Sequence, residues 1–404
     1  MKFRITAPGH IDCSVALPPS KSYAARALAI CAIGGLKTLP ANLPDCEDTR
    51  VMLDALSSES EVKDLKACGT AMRFLTAVYA IRPGEVVLTG CDRLKDRPMR
   101  PLVDALRVLG AKIEYLDRTG FPPLKIRGVD PSRVKNNCVS IDGSVSSQFV
   151  SALMMISPAV KGGINIRIKG ELCSKPYVFM TLETMRRYGF DESVPGSSYR
   201  ESEFVIPTDW SSAAYWYEIM ALISDKDARV MLPGLHNDEF QADSVIRELA
   251  ESWGVRTSED DKGITLTKRR RKAPEYIDLH NSPDVVPAAA VAAALSGNHF
   301  VYERIENLRL KECDRIAALR EELGKLGYKI DYNENDGSLS WDGEKMDSDY
   351  ASLCSHDDHR MAMSLAPAAL TTDCVIIDNP DVTSKSYPDF WRDLENAGFK
   401  IERL

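Results

Sequence analysis

Leu102-Val103-Asp104-Ala105-Leu106-Arg107-Val108-Leu109-Gly110-Ala111-Lys112-Ile113 is the stretch on which the fold turns. It reads as an amphipathic helix that ends at a glycine and runs into an apolar strand. Gly110 stands where a left-handed cap lets the chain reverse. The pattern returns as Thr181-Leu182-Glu183-Thr184-Met185-Arg186-Arg187-Tyr188-Gly189-Phe190. Further copies end at Gly254, Gly327 and Gly398, the last two followed by Tyr328-Lys329-Ile330 and Phe399-Lys400-Ile401. Successive glycines lie 79, 65, 73 and 71 residues apart. A poorer sixth copy, without Gly, covers residues 48–56. Recurrence at this period marks an internal structural repeat.

A second helix type alternates with the first, at residues 22–33, 70–81, 148–156, 213–223, 285–295 and 360–370. Its members are small and apolar almost all round, which suits burial on every side. Strand-like runs such as Glu85-Val86-Val87-Leu88, Ile164-Asn165-Ile166-Arg167-Ile168 and Cys374-Val375-Ile376-Ile377 follow most of them. Six copies in 404 residues allow about 67 residues each, the size of a βαβαββ unit. Three units per domain give two domains of similar α/β architecture.

Composition narrows the function classes. With 44% apolar and 27% charged residues the chain reads as a globular protein with a sizeable core. No apolar run approaches the roughly 20 residues of a membrane helix, and the longest, 285–295, suits a buried helix. Met1-Lys2-Phe3-Arg4-Ile5-Thr6-Ala7 reads as a first strand and not as a signal peptide. The net charge of −8 speaks against nonspecific nucleic-acid binding but leaves room for a small anionic substrate. Lys268-Arg269-Arg270-Arg271-Lys272 has no aromatic platform beside it and reads as an exposed turn. Ten scattered cysteines without a CxxC pair suit reduced thiols in the cytoplasm. His356 and His359, three apart without a companion carboxylate pattern, make a poor metal motif. P-loop, dinucleotide-binding and GxSxG motifs are absent.

The chemistry gathers at the starts of the buried helices. These carry Ser20-Lys21-Ser22 with Arg26 one turn on, Gly69-Thr70-Ala71-Met72-Arg73, Ser146-Ser147-Gln148, Ser282-Pro283-Asp284 and Asp357-Asp358-His359-Arg360. Asp209-Trp210-Ser211-Ser212, at the fourth helix, reads as an ordinary cap. Helix N-termini present unpaired N–H groups and favour phosphate or carboxylate. Lys or Arg in a first turn opposes the helix dipole, and an anion between the two resolves the conflict. One capping Ser or one basic residue is commonplace; recurrence at three helices gives the pattern its weight. Lys95-Asp96-Arg97-Pro98, Ser174-Lys175-Pro176-Tyr177 and the charged run 307–315 add further candidates. On a helix, Lys311 and Arg315 would share one face.

These segments, together with Pro19-Ser20-Lys21-Ser22, Val145-Ser146-Ser147-Gln148-Phe149, Lys311-Glu312-Cys313-Asp314-Arg315, Asp358-His359-Arg360-Met361-Ala362 and Lys385-Ser386-Tyr387-Pro388-Asp389, occur in one order from residue 19 to 389. In that order the chain resembles the 5-enolpyruvylshikimate-3-phosphate (EPSP) synthase family of enolpyruvyl transferases. The resemblance implies two domains of three βαβαββ units, each an inside-out α/β barrel of pseudo-threefold symmetry with buried parallel helices. One lobe would span residues 20–207. The other would be discontinuous, 1–19 with 208–404, and the two would close around substrate. The implied reaction moves the enolpyruvyl group of phosphoenolpyruvate to the 5-hydroxyl of shikimate 3-phosphate and releases phosphate. It needs no metal and no organic cofactor, and a cytoplasmic monomer without nucleic-acid or membrane partners is expected.

By the same resemblance, shikimate 3-phosphate would be held by Lys21, Ser22, Arg26, Ser146, Ser147, Gln148, Ser174, Tyr177, Asp284, Asn307 and Lys311. Phosphoenolpyruvate would be held by Lys21, Gly69, Arg97, Gln148, Arg315, Arg360 and Lys385. Lys21, Asp284 and Glu312 are the candidates for proton transfer, the first two near the hydroxyl and Glu312 near C3 of the enol. Four positions depart from the family pattern at the phosphoenolpyruvate site: Pro19, Ala25, Ala67 and Phe74. Against the nearest rival, an enolpyruvyl transferase acting on a UDP-sugar, stand the Ser-Ser-Gln and Lys-Pro-Tyr segments and the absence of that family's loop cysteine. A noncatalytic anion-binding protein would not need Lys21, Asp284 and Glu312 together. A nucleic-acid end-processing enzyme built from such repeats would need a more basic surface.

Overall fold

Each of the five repeat glycines has a positive φ, from 82° at Gly189 to 106° at Gly110. Each follows a short helix, namely Arg100–Val108, Lys175–Arg187, Ile246–Ser252, Arg315–Lys325 and Phe390–Asn396. The computed structural model describes residues 1–404 except 145, 195, 273–277, 349 and 351; Val145 of the quoted segments is therefore outside the described residues. The second helix type is found at Lys21–Gly34, Gly69–Ala80, Ser147–Ile156, Trp210–Leu222, Val286–Leu295 and His359–Leu365. The last continues as a 3-10 turn, Ala366–Leu370.

The chain divides into two compact units, Pro19–Ile206 and a discontinuous one made of Met1–Pro18 with Pro207–Leu404. Pro19 and Pro207 thus each lie across the boundary from the expected side. Each unit has its own apolar core. In the continuous unit the Lys21–Gly34, Gly69–Ala80 and Ser147–Ile156 helices touch one another pairwise. In the discontinuous unit Trp210–Leu222, Val286–Leu295 and His359–Leu365 do the same. Nine of the ten residues of Val286–Leu295 are buried, so alanine there is what lets neighbouring helices approach.

Two sheets show the full βαβαββ pattern. In the continuous unit Val62–Asp64 runs parallel to Glu85–Thr89, which pairs antiparallel with Leu124–Arg127, and that strand with Lys112–Tyr115. In the discontinuous unit Asp12–Ser14, Arg229–Pro233, Gly263–Lys268 and Val255–Asp260 repeat that order and polarity. A third sheet seats the N-terminal strand Lys2–Thr6 between Val375–Asp378 and Lys400–Arg403. Other units are thinner. Among the described residues Cys138–Asp142 pairs only with Asn165–Lys169, and after Gly327 Tyr328 makes a single antiparallel bridge to Lys345 before the strand Asp331–Asn333 begins. No strand is described over residues 36–46 or 190–206. Side chains take over there: Glu201 accepts from the Lys37 and Thr38 amides at 2.8 and 3.0 Å. Asn42 exchanges two hydrogen bonds with the Ile206 backbone. Pro40 and Pro44 in this stretch have no N–H to give a ladder.

The basic run 268–272 is less exposed at its start than expected. Lys268 ends a strand and donates to the carbonyls of Met220 and Ala221, at 2.7 and 3.4 Å, which close the Trp210–Leu222 helix. Within that helix Glu218 is wholly buried, and neither carboxylate oxygen has a hydrogen-bond partner among the described residues. Burial holds its pKa well above the usual carboxylate range. The folded state therefore binds this proton more tightly than the unfolded chain. Its stabilising contribution is complete below the ordinary Glu pKa and is lost as pH rises through the folded value. Glu218→Met is expected to raise stability in urea at pH 8 by about 1–3 kcal/mol, and by less at pH 5; equal gains at both pH values would show that the carboxyl carries no such cost.

Candidate active site

In the continuous unit the starts of the buried helices meet. Lys21 opens the first helix, and its ammonium lies 2.9 Å from Asp48, a buried residue at the head of the Glu47–Ser57 helix. Lys21, Ala25, Asp48, Thr49, Met52, Cys68 and Thr70 line one small pocket. Gln148 reaches across from the third helix and donates to Thr70 at 3.1 Å, leaving its own carbonyl oxygen without a hydrogen-bond partner among the described residues. Ser146 caps that helix on the Gln148 amide, and Ser147 is buried. Ser20 is buried but caps nothing, and its hydroxyl has no hydrogen-bond partner.

Gly69 is where two arginines crowd the backbone. A Cβ there would lie 2.0 Å from Arg97 Nη1 and 2.6 Å from Arg73 Nη1, so only glycine admits both guanidinium groups in these positions. Arg73 donates to the Gly69 carbonyl at 2.8 Å. Arg26 is buried, and burial lowers its pKa to about 10. Its guanidinium donates to Thr181 Oγ1, the Ser22 carbonyl and the Tyr177 carbonyl at 2.8, 2.8 and 3.0 Å. Arg26 thus ties the Tyr177 helix to the first turn of the Ser22 helix. Ser174, at the head of that helix, holds a left-handed conformation with φ 51°. Lys95 and Asp96 are surface groups paired with Asp92 and Arg118.

In the discontinuous unit the same logic produces a denser cluster. Asp284 sits in the turn before Val286–Leu295 and meets three cations: Arg360 at 2.7 Å, Arg315 at 3.0 Å and Lys311 at 3.5 Å. Burial works to raise its pKa, but Arg360, Lys311 and Arg315 outweigh burial and hold it well below the usual carboxylate range. Arg315 is 1% exposed and donates to Asp358 at 2.7 and 3.3 Å and to Glu312 at 2.9 Å. Asp358, wholly buried, also caps the His359–Leu365 helix by accepting from the Arg360 amide at 2.9 Å. Lys385 is buried 4.0 Å from Glu312. Asn307 is half-buried, and its side-chain oxygen has no hydrogen-bond partner.

Two expectations change here. The helix begins only at Arg315, and Lys311 follows a 3-10 turn in extended backbone, so both reach Asp284 without sharing a helix face. In addition, at two of the three helix starts an anion beside the cation comes from the chain itself, Asp48 for Lys21 and Asp284 for Arg360, while Arg73 donates to the Gly69 carbonyl. Asp209 is the ordinary cap expected, accepting from the Ser212 amide and hydroxyl.

Sequence reasoning singled out neither Asp48, Asp243 nor Glu322. Asp243 is a buried carboxyl bonded to the Ser211 hydroxyl. Burial and the Asp284 charge raise its pKa to about 6, against the opposing pull of Arg360. An acidic residue in a helix's first turn, as Asp48 and Asp243 are, is too ordinary to signal a site, and Lys21, Ser211 and His356, which pair with Asp48, Asp243 and Glu322, are remote in sequence.

With this geometry in hand, likeness to known proteins can be judged. The family model "EPSP synthase (3-phosphoshikimate 1-carboxyvinyltransferase)" matches residues 56–394. The 3-phosphoshikimate 1-carboxyvinyltransferase of Bacteroides fragilis is 41% identical over 415 aligned positions, covering 100% of this chain and 99% of the relative. The chain belongs to the EPSP synthase family. The enzyme of that name from Vibrio atlanticus is 34% identical over 94% of this chain and 96% of its own length. Among solved structures, EPSP synthase from Acinetobacter baumannii has a TM-score of 0.73 at 21% identity, with both chains fully covered. The enolpyruvyl transferase NikO from Streptomyces tendae has 0.70 at 16% identity, covering 100% of this chain and 98% of that one. The α/β fold expected from the repeats is thus the fold of this family.

Asp358 is the chief partner of a buried cation, so removing it takes two of the hydrogen bonds of Arg315 and the cap of the His359–Leu365 helix together. Asp358→Ala is expected to cost about 3–5 kcal/mol in urea denaturation, against about 0–1 kcal/mol for Asp92→Ala in the exposed Lys95 pair. Equal, small effects would show that Arg315 is held by its other partners alone.

Proposed function

We propose that this member of the EPSP synthase family transfers the enolpyruvyl group of phosphoenolpyruvate to the 5-hydroxyl of shikimate 3-phosphate, giving 5-enolpyruvylshikimate 3-phosphate and phosphate. The observation that carries the reading is the convergence of Arg315, Lys311 and Arg360 on Asp284, in a chain that aligns end to end with the family. Both substrates are anions, and guanidinium groups suit their phosphates and carboxylates through paired donors.

The ion pairs give the reaction an internal order. While Asp284 is surrounded by cations it is a weak base. Substrate phosphate and carboxylate groups that engage Arg315, Arg360 and Lys311 draw those charges away, and the Asp284 carboxylate regains basicity as the hydroxyl arrives. Asp284 takes the hydroxyl proton while oxygen attacks C2 of the enol, and Lys21 is the second candidate for that transfer. Glu312, held against Arg315 and Lys385, delivers a proton to C3. Loss of phosphate from C2 and of one C3 proton then restores the double bond. Arg315, Arg360, Lys385, Arg97 and Lys21, with the Gly69 backbone, stabilise the phosphate as it leaves.

For shikimate 3-phosphate, Ser146, Ser147 and Ser174 would surround the phosphate, with Ser22, Tyr177 and the Gln148 and Asn307 side chains at the ring. The unpartnered carbonyl oxygens of Gln148 and Asn307 are acceptors for hydroxyls. Arg26 would position Tyr177 and Ser22. The departures leave these charges in place. Ala25 lines the Lys21 pocket, Ala67 lines a second pocket with Lys66 and Gly90, and the Phe74 ring lies 5.5 Å from the Arg26 guanidinium. The reading places the enzyme in the cytoplasm as a monomer acting on small molecules without a cofactor. Its ten cysteines stand as free thiols, and no helix among the described residues is long and apolar enough to cross a membrane.

The test is phosphate release from phosphoenolpyruvate, without added metal, with shikimate 3-phosphate or with UDP-N-acetylglucosamine as acceptor. Release that requires shikimate 3-phosphate is expected; release only with the sugar nucleotide, or with neither, overturns the proposal. Asp284→Ala is expected to lower turnover at least about 100-fold while shikimate 3-phosphate binding remains measurable by calorimetry. Near-normal turnover would remove Asp284 from the mechanism.

A further inference from the structure

We infer that Glu322, acting through His356, is a positioning residue that sets three phosphoenolpyruvate-site cations from outside the site. Glu322 lies on the Arg315–Lys325 helix, seven residues beyond Arg315, so the two project from nearly the same face two turns apart. Its carboxylate is wholly buried. One oxygen accepts from the Cys354 amide at 2.9 Å; the other accepts from His356 Nε2 at 2.7 Å and Lys325 Nζ at 2.8 Å. One helix therefore grips the segment 354–358 at two points, through Glu322 at its beginning and through Arg315 on Asp358 at its end.

Between the two grips the backbone is strained. His356 and Asp357 both take left-handed conformations, with φ 51° and 54°, although neither is glycine. Such a pair persists only where its surroundings hold it. Two further ties come from the end of the Val375–Asp378 strand. Asp378 accepts from the Ser355 amide at 2.8 Å, and Asn379, itself left-handed at φ 39°, donates to Asp357 at 2.6 Å. Two segments start from this knot. One is the His359–Leu365 helix that carries Arg360, and the other is the 3-10 turn Pro380–Lys385 that ends in Lys385. Arg315, Arg360 and Lys385 are thus referred to one buried carboxylate, whose own hydrogen-bond partners among the described residues are Lys325, His356 and the Cys354 amide.

Glu322, Cys354 and His356 also bring oxygen, sulfur and nitrogen within 4.8 Å of one another, a spacing a metal ion could use. The carboxylate is already engaged by imidazole, ammonium and amide, which is the bonding of a latch. His356 was read from sequence beside His359 and without a carboxylate; that carboxylate comes from 34 residues away.

The proposal rests on the phosphoenolpyruvate reading of Arg315, Arg360 and Lys385, and the experiment separates the two. Steady-state kinetics would compare the full-length protein with Glu322→Ala, His356→Ala and His356→Gln. Gln offers an amide donor near the position of Nε2. The expected result is a KM for phosphoenolpyruvate raised at least tenfold in both alanine variants. kcat would stay within threefold and the calorimetric Kd for shikimate 3-phosphate within twofold. His356→Gln should recover KM to within threefold of wild type. Unchanged KM, or kcat and both affinities falling together without rescue by Gln, overturns the latch. His356 is partly exposed, so its two variants carry the test if Glu322→Ala does not fold. A crystal structure of His356→Ala decides the matter independently of substrate. His356-to-Asp358 backbone and Arg360 displaced from their wild-type places are expected, and an unmoved segment overturns the proposal even if wild-type protein shows no turnover.

Discussion

A guanidinium in the interior must be surrounded, and Arg315 organises its unit because it is. Three carboxylates, Asp358, Glu312 and Asp284, share its five N–H donors, and the group is 1% exposed. Taking such charges out of water costs several kcal/mol per ion, which is recovered only if every partner is placed. Asp358 can be placed only by also capping the His359–Leu365 helix. Asp284 can be placed only in the turn that opens Val286–Leu295. Electrostatic satisfaction of one side chain thus aligns the beginnings of two buried helices and a third helix outside them. The chemistry proposed for Asp284 uses the same ion pairs that hold the site together.

The continuous unit reaches a similar end with fewer charges. Gly69, without a side chain, lets Arg97 and Arg73 lie against a helix N-terminus, and Gln148 joins that terminus to the next. Two cations beside the positive end of a helix are unfavourable alone. Local pairing of Lys21 with Asp48 and of Arg73 with a carbonyl lowers that cost. Both units therefore present cations held in place by carboxylates or carbonyls of the chain itself.

Much of this was legible in the sequence because it is periodic or local. Gly110, Gly189, Gly254, Gly327 and Gly398 announce reversals through a backbone conformation other residues resist, and all five adopt it. The buried helices show themselves by lacking a polar face. The motif residues stood out because a first-turn cation contradicts the helix dipole. What stayed hidden is pairing across long sequence distances. Nothing near Lys21 points to Asp48, nothing near His356 points to Glu322, and Asp243 looks like any helix-start acid. The strand expected after Gly189 is not found among the described residues, where Glu201 and Asn42 replace a backbone ladder with side-chain bonds, and side-chain bonds have no period. Lys311 was misplaced on a helix because charge spacing alone does not tell where a helix begins.

The seating of Lys2–Thr6 between Val375–Asp378 and Lys400–Arg403 sets the order in which the molecule is finished. Lys2–Thr6 waits for both its sheet neighbours, since Val375–Asp378 and Lys400–Arg403 are translated long after it. Pro19–Ile206, whose core draws on no residue outside it, can close while the rest is still being translated. Throughout that interval the leading strand has two unpaired edges, an arrangement open to nonproductive pairing. Order of synthesis and order of pairing run opposite for this sheet, and loss of Lys400–Arg403 would be felt first at Lys2–Thr6.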